Sequence, residues 1–591
     1  MLAIGVRGRR ATANVAIFGP LIALVGVFFA GWALLAKSAP HDVTYSWLDI
    51  PLSISGASQF QNFSAGLGIR ISHASLLLVG AALLVGLLTL VWSRIGARGE
   101  PGPARYYGAF ALLVFGAVGV IVATDYLELV TFWGIAGVST YLLMTHYWTD
   151  EAATRRGRWG LALPALTDLS LLAGISILYS RYGQTNIDGL IPILHLTPGA
   201  GNRALVVATL LIFAGAAGRA ALFPFQGWLM AAADAPPAAF AAIQGTWPLM
   251  VVSLLYKSLP IFVSAGPWPL RIVAATAAVS AIVVPLSGLA GLDIRRVVTA
   301  AGIGLTSLTV LAFARPQIVG LAIVGGAGSG LARAGLVLAA ASLVLGMRSA
   351  SLLQMGEGLR RMPLTVSGLL CGGAGLAFLT VEMAAQPLRW DWYVAYGVGI
   401  VLVLLLVSRT YLTAAIGPLA RRRGFDPNRI RETSRSLTLP SLILGLLAFA
   451  LAMAAFSSTF LKYVDGKPHT NPGLGNSFLW LVIPLLGVAV AFLLYHQRRE
   501  LGDRLTGRAT NYWARVVAGG AVAGRLLYEP VLRLAGRTDD AVERGAEGRL
   551  GRALADVSAV SRARVPLLPV LVGVAVLAVL LAGIFAPGVY R

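Results

Sequence analysis

Residues 204–258 read ALVVATLLIFAGAAGRAALFPFQGWLMAAADAPPAAFAAIQGTWPLMVVSLLYKS. Two apolar runs flank a stretch crowded with Pro224, Gly227, Asp234, Pro236 and Pro237. About 20 apolar residues cross a hydrocarbon core, so the spacing predicts membrane spans near 204–223 and 236–258. Proline lacks the backbone donor that a helix interior needs, which predicts a break at 222–236. Irregular backbone at membrane depth is tolerated only where protein or a wet cavity lines it. A short reentrant turn and a broken helix beside an ion path both satisfy that rule.

The same reading extends outward in both directions. Further apolar runs fall near 15–36, 73–93, 106–124, 127–147, 160–180, 270–290, 297–314, 317–346, 363–381, 391–413, 437–461, 475–495 and 565–586. The chain of 591 residues is 57% hydrophobic with a mean hydropathy of +0.77, which leaves no soluble reading. The expected class is an all-α polytopic membrane protein with about fifteen transmembrane helices. Three parts are expected: a bundle of spans over 1–499, a polar segment over 500–564, and a final membrane anchor over 565–591.

A formal charge of +22 would suggest a nucleic-acid partner in a soluble protein, but no such motif is present. The arginines instead follow the spans. Arg7, Arg9 and Arg10 precede the first, Arg94, Arg98 and Arg105 follow the second, and Arg155, Arg156 and Arg158 follow the fourth. Arg295 and Arg296 follow the eighth, Arg348, Arg360 and Arg361 the tenth, Arg421, Arg422 and Arg423 the twelfth, and Arg498 and Arg499 the fourteenth. Every group lies on one side if each span crosses once. The positive-inside rule then puts the N-terminus in the cytoplasm and the C-terminus outside, as in a bacterial inner membrane. Cys371 is the only cysteine and lies in an apolar run, so this chain alone cannot form a disulfide or hold an iron–sulfur cluster.

Ionisable groups inside spans are costly and mark functional candidates. Asp168 sits mid-span in LPALTDLSLLAG, Arg333 mid-span in GAGSGLARAGLVLAA, and Arg219 toward the end of FAGAAGRAALFPF. Asp234 lies in the broken segment and Glu128 at a span mouth. Arg219 has a plain alternative in snorkelling to the interface, and Glu128 reads most simply as an exposed carboxylate at a helix start. Asp168 and Arg333 are too deep for either, so each needs a partner: one another, or water. Guanidinium does not give up its proton, so neither arginine can hand one on. His41, His73, His146, His195, His469 and His496 all fall at span ends or in loops. No continuous titratable chain through the membrane is evident.

Between Glu500 and Arg564, charges alternate with apolar residues at helical spacing, as at Tyr512, Val516, Leu527, Val531 and Leu534. About fifty such residues would form an amphipathic helix roughly 75 Å long, interrupted near Gly519, Gly520, Pro530 and Gly536. It is expected to lie along neighbouring subunits as a strap; a solvated cytoplasmic tail is the alternative.

The order of these features resembles the antiporter-like membrane subunits of respiratory complex I, most closely its distal subunit L with a long lateral helix. The matching pieces are GIRISHASLLLV (68–79), PARYYGAFALLVFG (103–116), FWGIAGVSTYLL (132–143), FAGAAGRAALFPFQGWL (213–229), DIRRVVTAAGIG (293–304) and GLRRMPLT (358–365). One span of the family's usual set is expected to be missing at the front. In the family, a glutamate–lysine pair and a line of lysines and histidines are thought to carry protons. The resemblance places that glutamate on Gly134, its lysine on Arg219, and two histidines on Gln226 and Gln244. The central lysine falls on Arg333 and its preceding histidine on Ser329, while a later lysine has no counterpart near Glu382. Asp168 alone keeps its family identity.

The resemblance implies a membrane-arm subunit of a complex I-type NADH:quinone or related oxidoreductase. Such a subunit contributes to proton translocation or, given the lost titratable groups, to architecture and coupling. No catalytic chemistry and no cofactor are expected on this chain; quinone, FMN and iron–sulfur clusters would belong to partner subunits. The alternative from another class is a component of a multi-subunit cation/proton antiporter or of an inorganic-carbon uptake complex. Paired arginines would suit an anionic substrate, while the strap argues against the carbon-uptake version.

Overall fold

A computed structural model describes residues 9–37, 41–50, 63–97, 101–147, 149–196, 203–385, 390–419, 430–466 and 474–497, together with positions 502, 504 and 508. The described residues are mostly helical. The first helix, α1 (Arg9–Lys37), precedes a two-stranded antiparallel hairpin of β1 (His41–Ile50) and β2 (Phe63–Ile71). Then follow α2 (His73–Gly96), α3 (Pro103–Val122), α4 (Tyr126–Met144), α5 (Glu151–Tyr182), the short α6 (Ile187–Leu196) and α7 (Arg203–Arg219). Beyond the broken segment come α8 (Pro237–Ser264), α9 (Pro267–Gly288), α10 (Ile294–Phe313), α11 (Val319–Met347), α12 (Pro363–Ala385) and α13 (Trp390–Tyr411). The described part closes with α14 (Arg435–Ala455), the short α15 (Ser458–Asp465) and α16 (Leu474–Phe492).

Every expected span up to 475–495 coincides with one of these helices, and 12 of the described helices are long and apolar enough to cross a membrane. The span expected at 565–586 and the strap expected over 500–564 lie outside the described residues, isolated positions aside. The hairpin was not anticipated. Open sheet edges are not stable in hydrocarbon, so the strands sit outside the spans, between α1 and α2. Their register pairs His41 with Ile71 and Val43 with Ile69, with an irregularity at Ser46/Leu48.

Local sequence sets the helix starts. Asp125 and Asp293 cap α4 and α10 by accepting from the N–H groups of Leu127 and Arg295, which satisfies donors with no intrahelical partner. Proline stands in the first turn of α3, α8 and α9, where its missing N–H costs nothing.

Packing follows membrane rules. Phe28, Phe29 and Trp32 of α1 point outward, as lipid-facing side chains do, because burying them against protein gains little over lipid. Helix α8 is buried over most of its length, from Ala238 to Leu255 without interruption. Its backbone meets that of α11 at Gly245 and Gly330, where a Cβ on Gly330 would stand 2.6 Å from the Gly245 carbonyl oxygen. Small residues at such crossings let van der Waals contact replace the hydrophobic drive that water would supply. At about 42 Å for its 28 residues, α8 reaches from the broken segment at one end of the bundle to the hairpin at the other.

Candidate functional site

The first charged centre forms where α7 stops. Arg219 is its last residue, and beyond it Ala221 adopts a left-handed conformation (φ 57°), which side chains with a Cβ rarely occupy. The chain then passes Pro224, makes a short helix at Gly227–Ala231 and a tight turn at Ala232–Asp234, and re-enters the bundle after Pro236. The Phe223 N–H donates to Ser280 Oγ at 2.9 Å, and Trp228 Nε1 donates to the Gly218 carbonyl at 2.8 Å, tying the break to its surroundings.

The Arg219 side chain is 3% exposed and turns inward. Its Nε donates to both oxygens of Asp168 on α5, at 3.0 and 3.1 Å, and its Nη2 donates to Asp168 Oδ2. Trp133 Nε1 on α4 donates to Asp168 Oδ1 at 2.7 Å. The guanidinium lies over Trp247 of α8 at 4.3 Å, a cation–π arrangement that is stronger when desolvated. Trp247 in turn donates to Thr140 Oγ1 at 3.0 Å and meets the Trp133 ring edge-on at 5.1 Å. Gly137 supplies the room: a Cβ there would stand 2.5 Å from Arg219 Nη2. Multiple charge-assisted bonds and a satisfied carboxylate are what a buried pair needs to offset desolvation.

The second centre is Arg333 on α11, 2% exposed. Its Nε donates to Gln244 Oε1 at 3.0 Å, its Nη2 donates to the same oxygen, and its Nη1 donates to Thr306 Oγ1 at 2.6 Å. Gln244 Nε2 donates to Thr299 Oγ1 at 3.0 Å, which donates to the Arg295 carbonyl at 2.7 Å. A polar line therefore runs from Arg333 toward the broken segment. There Arg295 pairs with Asp293 at 2.7 Å, and Asp234 receives Arg295 and Arg296 at 3.7 and 3.3 Å. Trp247 and Gln244 are three residues apart on α8, about 4.5 Å of rise, so the two guanidiniums sit at similar depth.

Three expectations need correction. Arg219 does not snorkel; it is buried and paired. Asp168 and Arg333 are not partners: Asp168 is taken by Arg219, and Arg333 is held by an amide and a hydroxyl. Glu128 is not an exposed helix-start carboxylate but is 5% exposed, and its Oε2 accepts from the N–H groups of Gly68 and Thr124, both at 3.1 Å. It thereby ties β2 to the start of α4. Beside it, burial pushes the Asp125 carboxyl up from its ordinary pKa, against the Thr185 hydroxyl and Leu127 N–H that favour its charged form.

Two buried cations escaped the sequence reading although both stand inside apolar runs. Arg409 of α13 donates to the Leu289 carbonyl at 2.9 Å, serving the C-terminal carbonyls of α9. Lys257 of α8 donates to the carbonyls of Val120 and Ala123 at 2.8 and 2.7 Å. Trp133 and Trp247 were also missed, though tryptophan away from the membrane interface, where it usually collects, was a legible signal. Gly134, at the family's glutamate position, is exposed, with no atom within 4 Å of where its Cβ would stand.

Comparison with known proteins agrees with this architecture. Residues 123–413 match the family described as NADH:quinone oxidoreductase/Mrp antiporter, transmembrane. The chain is 23% identical over 552 residues to NADH-ubiquinone oxidoreductase chain 5 of Cryptococcus neoformans, covering 86% of this chain and 80% of the relative. It is 26% identical over 376 residues to NADH-quinone oxidoreductase subunit L of Escherichia coli, covering 61% and 59%. Among solved structures, its fold is like that in the Mrp complex of a Dietzia species (TM-score 0.68, 17% identity, covering 92% of this chain and 61% of that one). It is also like that in a membrane-bound sulfane sulfur reductase, an archaeal respiratory membrane complex (TM-score 0.63, 16% identity, covering 97% and 98%). With the broken helix after α7, the half-buried Asp168 and the order of spans, these matches show that residues 123–413 belong to the transmembrane family of NADH:quinone oxidoreductase and Mrp antiporter subunits, and that the chain around them is similar to complex I subunit L.

Proposed function

We propose that the chain is a membrane-arm subunit of a multi-subunit NADH:quinone or related oxidoreductase, and that its core supplies architecture and coupling and no titratable proton line. One observation carries this reading: the two cations beside the broken helix and at the centre of the bundle, Arg219 and Arg333, are guanidiniums with their hydrogen bonds made, Arg219 to Asp168 and Arg333 to Gln244 and Thr306. A relay needs groups that change charge near working pH, and arginine does not. Two guanidiniums against one carboxylate also leave a fixed positive charge at mid-depth, which opposes the passage of a cation.

Relatives named as subunits of such complexes support the partner class. The chain's place in a bacterial inner membrane, with its N-terminus cytoplasmic and the hairpin end outside, rests on the arginine-rich loops. Residues 500–564 are the proposed strap along neighbouring subunits, with 565–591 as the anchor. Quinone, FMN and iron–sulfur clusters would be held by those partners. The Mrp branch of the family supports a second reading, a component of a cation/proton antiporter.

Purification of the native complex and identification of its subunits tests the assignment. Redox subunits support the first reading, and antiporter subunits without them support the second. In reconstituted complexes, Asp168→Asn should leave the protons moved per electron unchanged in whatever fraction assembles. A lowered ratio in assembled complex would overturn the architectural role.

A further inference from the structure

The stretch GLRRMPLT (358–365) takes no part in either charged centre and builds a basic pocket of its own. Ahead of it Glu357 is left-handed (φ 54°), and its N–H donates to the Gly417 carbonyl at 2.8 Å. That bond seats the short helix Gly358–Arg361 against the turn that follows α13. Arg360 and Arg361 then meet Arg431, which precedes α14, around an open pocket of about 590 Å³ that Ile430 and Glu432 also line. The starts of α12 and α14 share this end because the two helices pack closely: a Cβ on Gly445 would stand 2.7 Å from the Gly372 nitrogen.

Both carboxylates at this end are engaged. Glu357 pairs with Arg361 at 2.8 Å. Glu432 caps α12: its Oε2 accepts from the Leu364 N–H at 2.7 Å and its Oε1 from the Thr365 hydroxyl at 2.5 Å. Arg360 and Arg431 are exposed, and neither has a carboxylate partner among the described residues. Exposed Arg435 follows as the first residue of α14. The loop before α10 differs, because there Arg295 pairs with Asp293 and Arg296 with Asp234. The positive-inside rule accounts for arginines on this face, but not for a pocket that leaves two of them unmatched. Beside the pocket the surface is apolar. Leu359 and Leu364 are exposed, and Leu439, Ile443 and Leu446 continue the exposure along α14, at the spacing of one helix face. A phospholipid satisfies both features, with its phosphate on the guanidiniums and its chains along the leucines. Guanidinium forks match phosphate oxygens, and basic pockets between membrane helices take anionic headgroups. A soluble phosphate would use the arginines and leave the apolar face unused.

We propose that Arg360 and Arg431, with Arg361 beside them, bind the phosphate of an anionic phospholipid whose chains lie along α14. The site requires the membrane setting but not any particular parent complex, so its failure would leave the assignment above standing. The full chain is reconstituted in bilayer nanodiscs carrying phosphatidylglycerol with a photoactivatable group on one acyl chain, and the adducts are located by mass spectrometry. Adducts should concentrate on α14 around Leu439, Ile443 and Leu446, above the level on α1, whose Phe28 and Trp32 also point outward. Phosphatidylcholine carrying the same group, read on the unsubstituted protein, should label α14 no more than α1. Arg360→Gln combined with Arg431→Gln should lower the phosphatidylglycerol adducts on α14 roughly tenfold and leave those on α1 unchanged. Excess inorganic phosphate at matched ionic strength should displace nothing. Three results would each overturn the proposal: equal labelling of α14 by the two lipids, undiminished α14 adducts in the folded double variant, or displacement by inorganic phosphate, which would mark a site for a soluble anion.

Discussion

Around Arg219 the fold places a carboxylate, an indole donor and an aromatic face, and the guanidinium is neutralised where it lies. Around Arg333, at similar depth against α8, it places an amide oxygen and a hydroxyl, and the charge remains. Both cations are buried and hydrogen-bonded, yet only the first belongs to an ion pair. Hydrogen bonding satisfies a donor's geometry, whereas neutralising its field takes an opposite charge. The first centre therefore depends on its partner, because removing one member of a buried pair strands the other. The second is tuned by neutral groups that could be exchanged more cheaply.

Substitutions can break or sharpen that contrast. Asp168→Asn leaves Arg219 buried beside neutral groups and should cost about 3–5 kcal/mol, read as a lowered thermal midpoint in detergent; adding Arg219→Met should recover most of the loss, since the two residues act as one unit. Gly137→Ala puts a methyl 2.5 Å from Arg219 Nη2 and should cost about 1–3 kcal/mol, whereas Gly134→Ala, three residues away and facing open space, should stay within about 0.5 kcal/mol. Arg333→Met removes the charge and leaves Gln244 Oε1 without its donor, for about 1–2 kcal/mol. A cost equal to that of Asp168→Asn would show that both centres are held by the same physics. Trp133→Phe deletes only the indole donor to Asp168 and should cost about 1 kcal/mol.

The spans were readable because the bilayer imposes a length on every apolar run, and the arginine-rich loops checked the count. The break after Arg219 was readable from Pro224, Gly227 and Pro236, since proline and glycine act on the backbone locally. Glu128 was misread because its position near a helix start says nothing about β2 folding over it. Lys257 was overlooked for a related reason: near the end of a span it looks like an interfacial residue, and only the packing of α3 against α8 brings carbonyls to its amine.

The order of residues alone determined which groups enter the membrane and which of them can change charge, because hydropathy and side-chain chemistry belong to each residue wherever it stands. The tertiary structure decided who meets whom: that Asp168 neutralises Arg219 and not Arg333, that Gln244 faces Arg333, and that Lys257 meets the end of α3. Those pairings join residues 51, 89 and more than 130 positions apart, and no local pattern specifies distances of that kind. They are set by how the helices cross, at contacts as close as Gly245 on Gly330, which follow from the shape of the whole bundle.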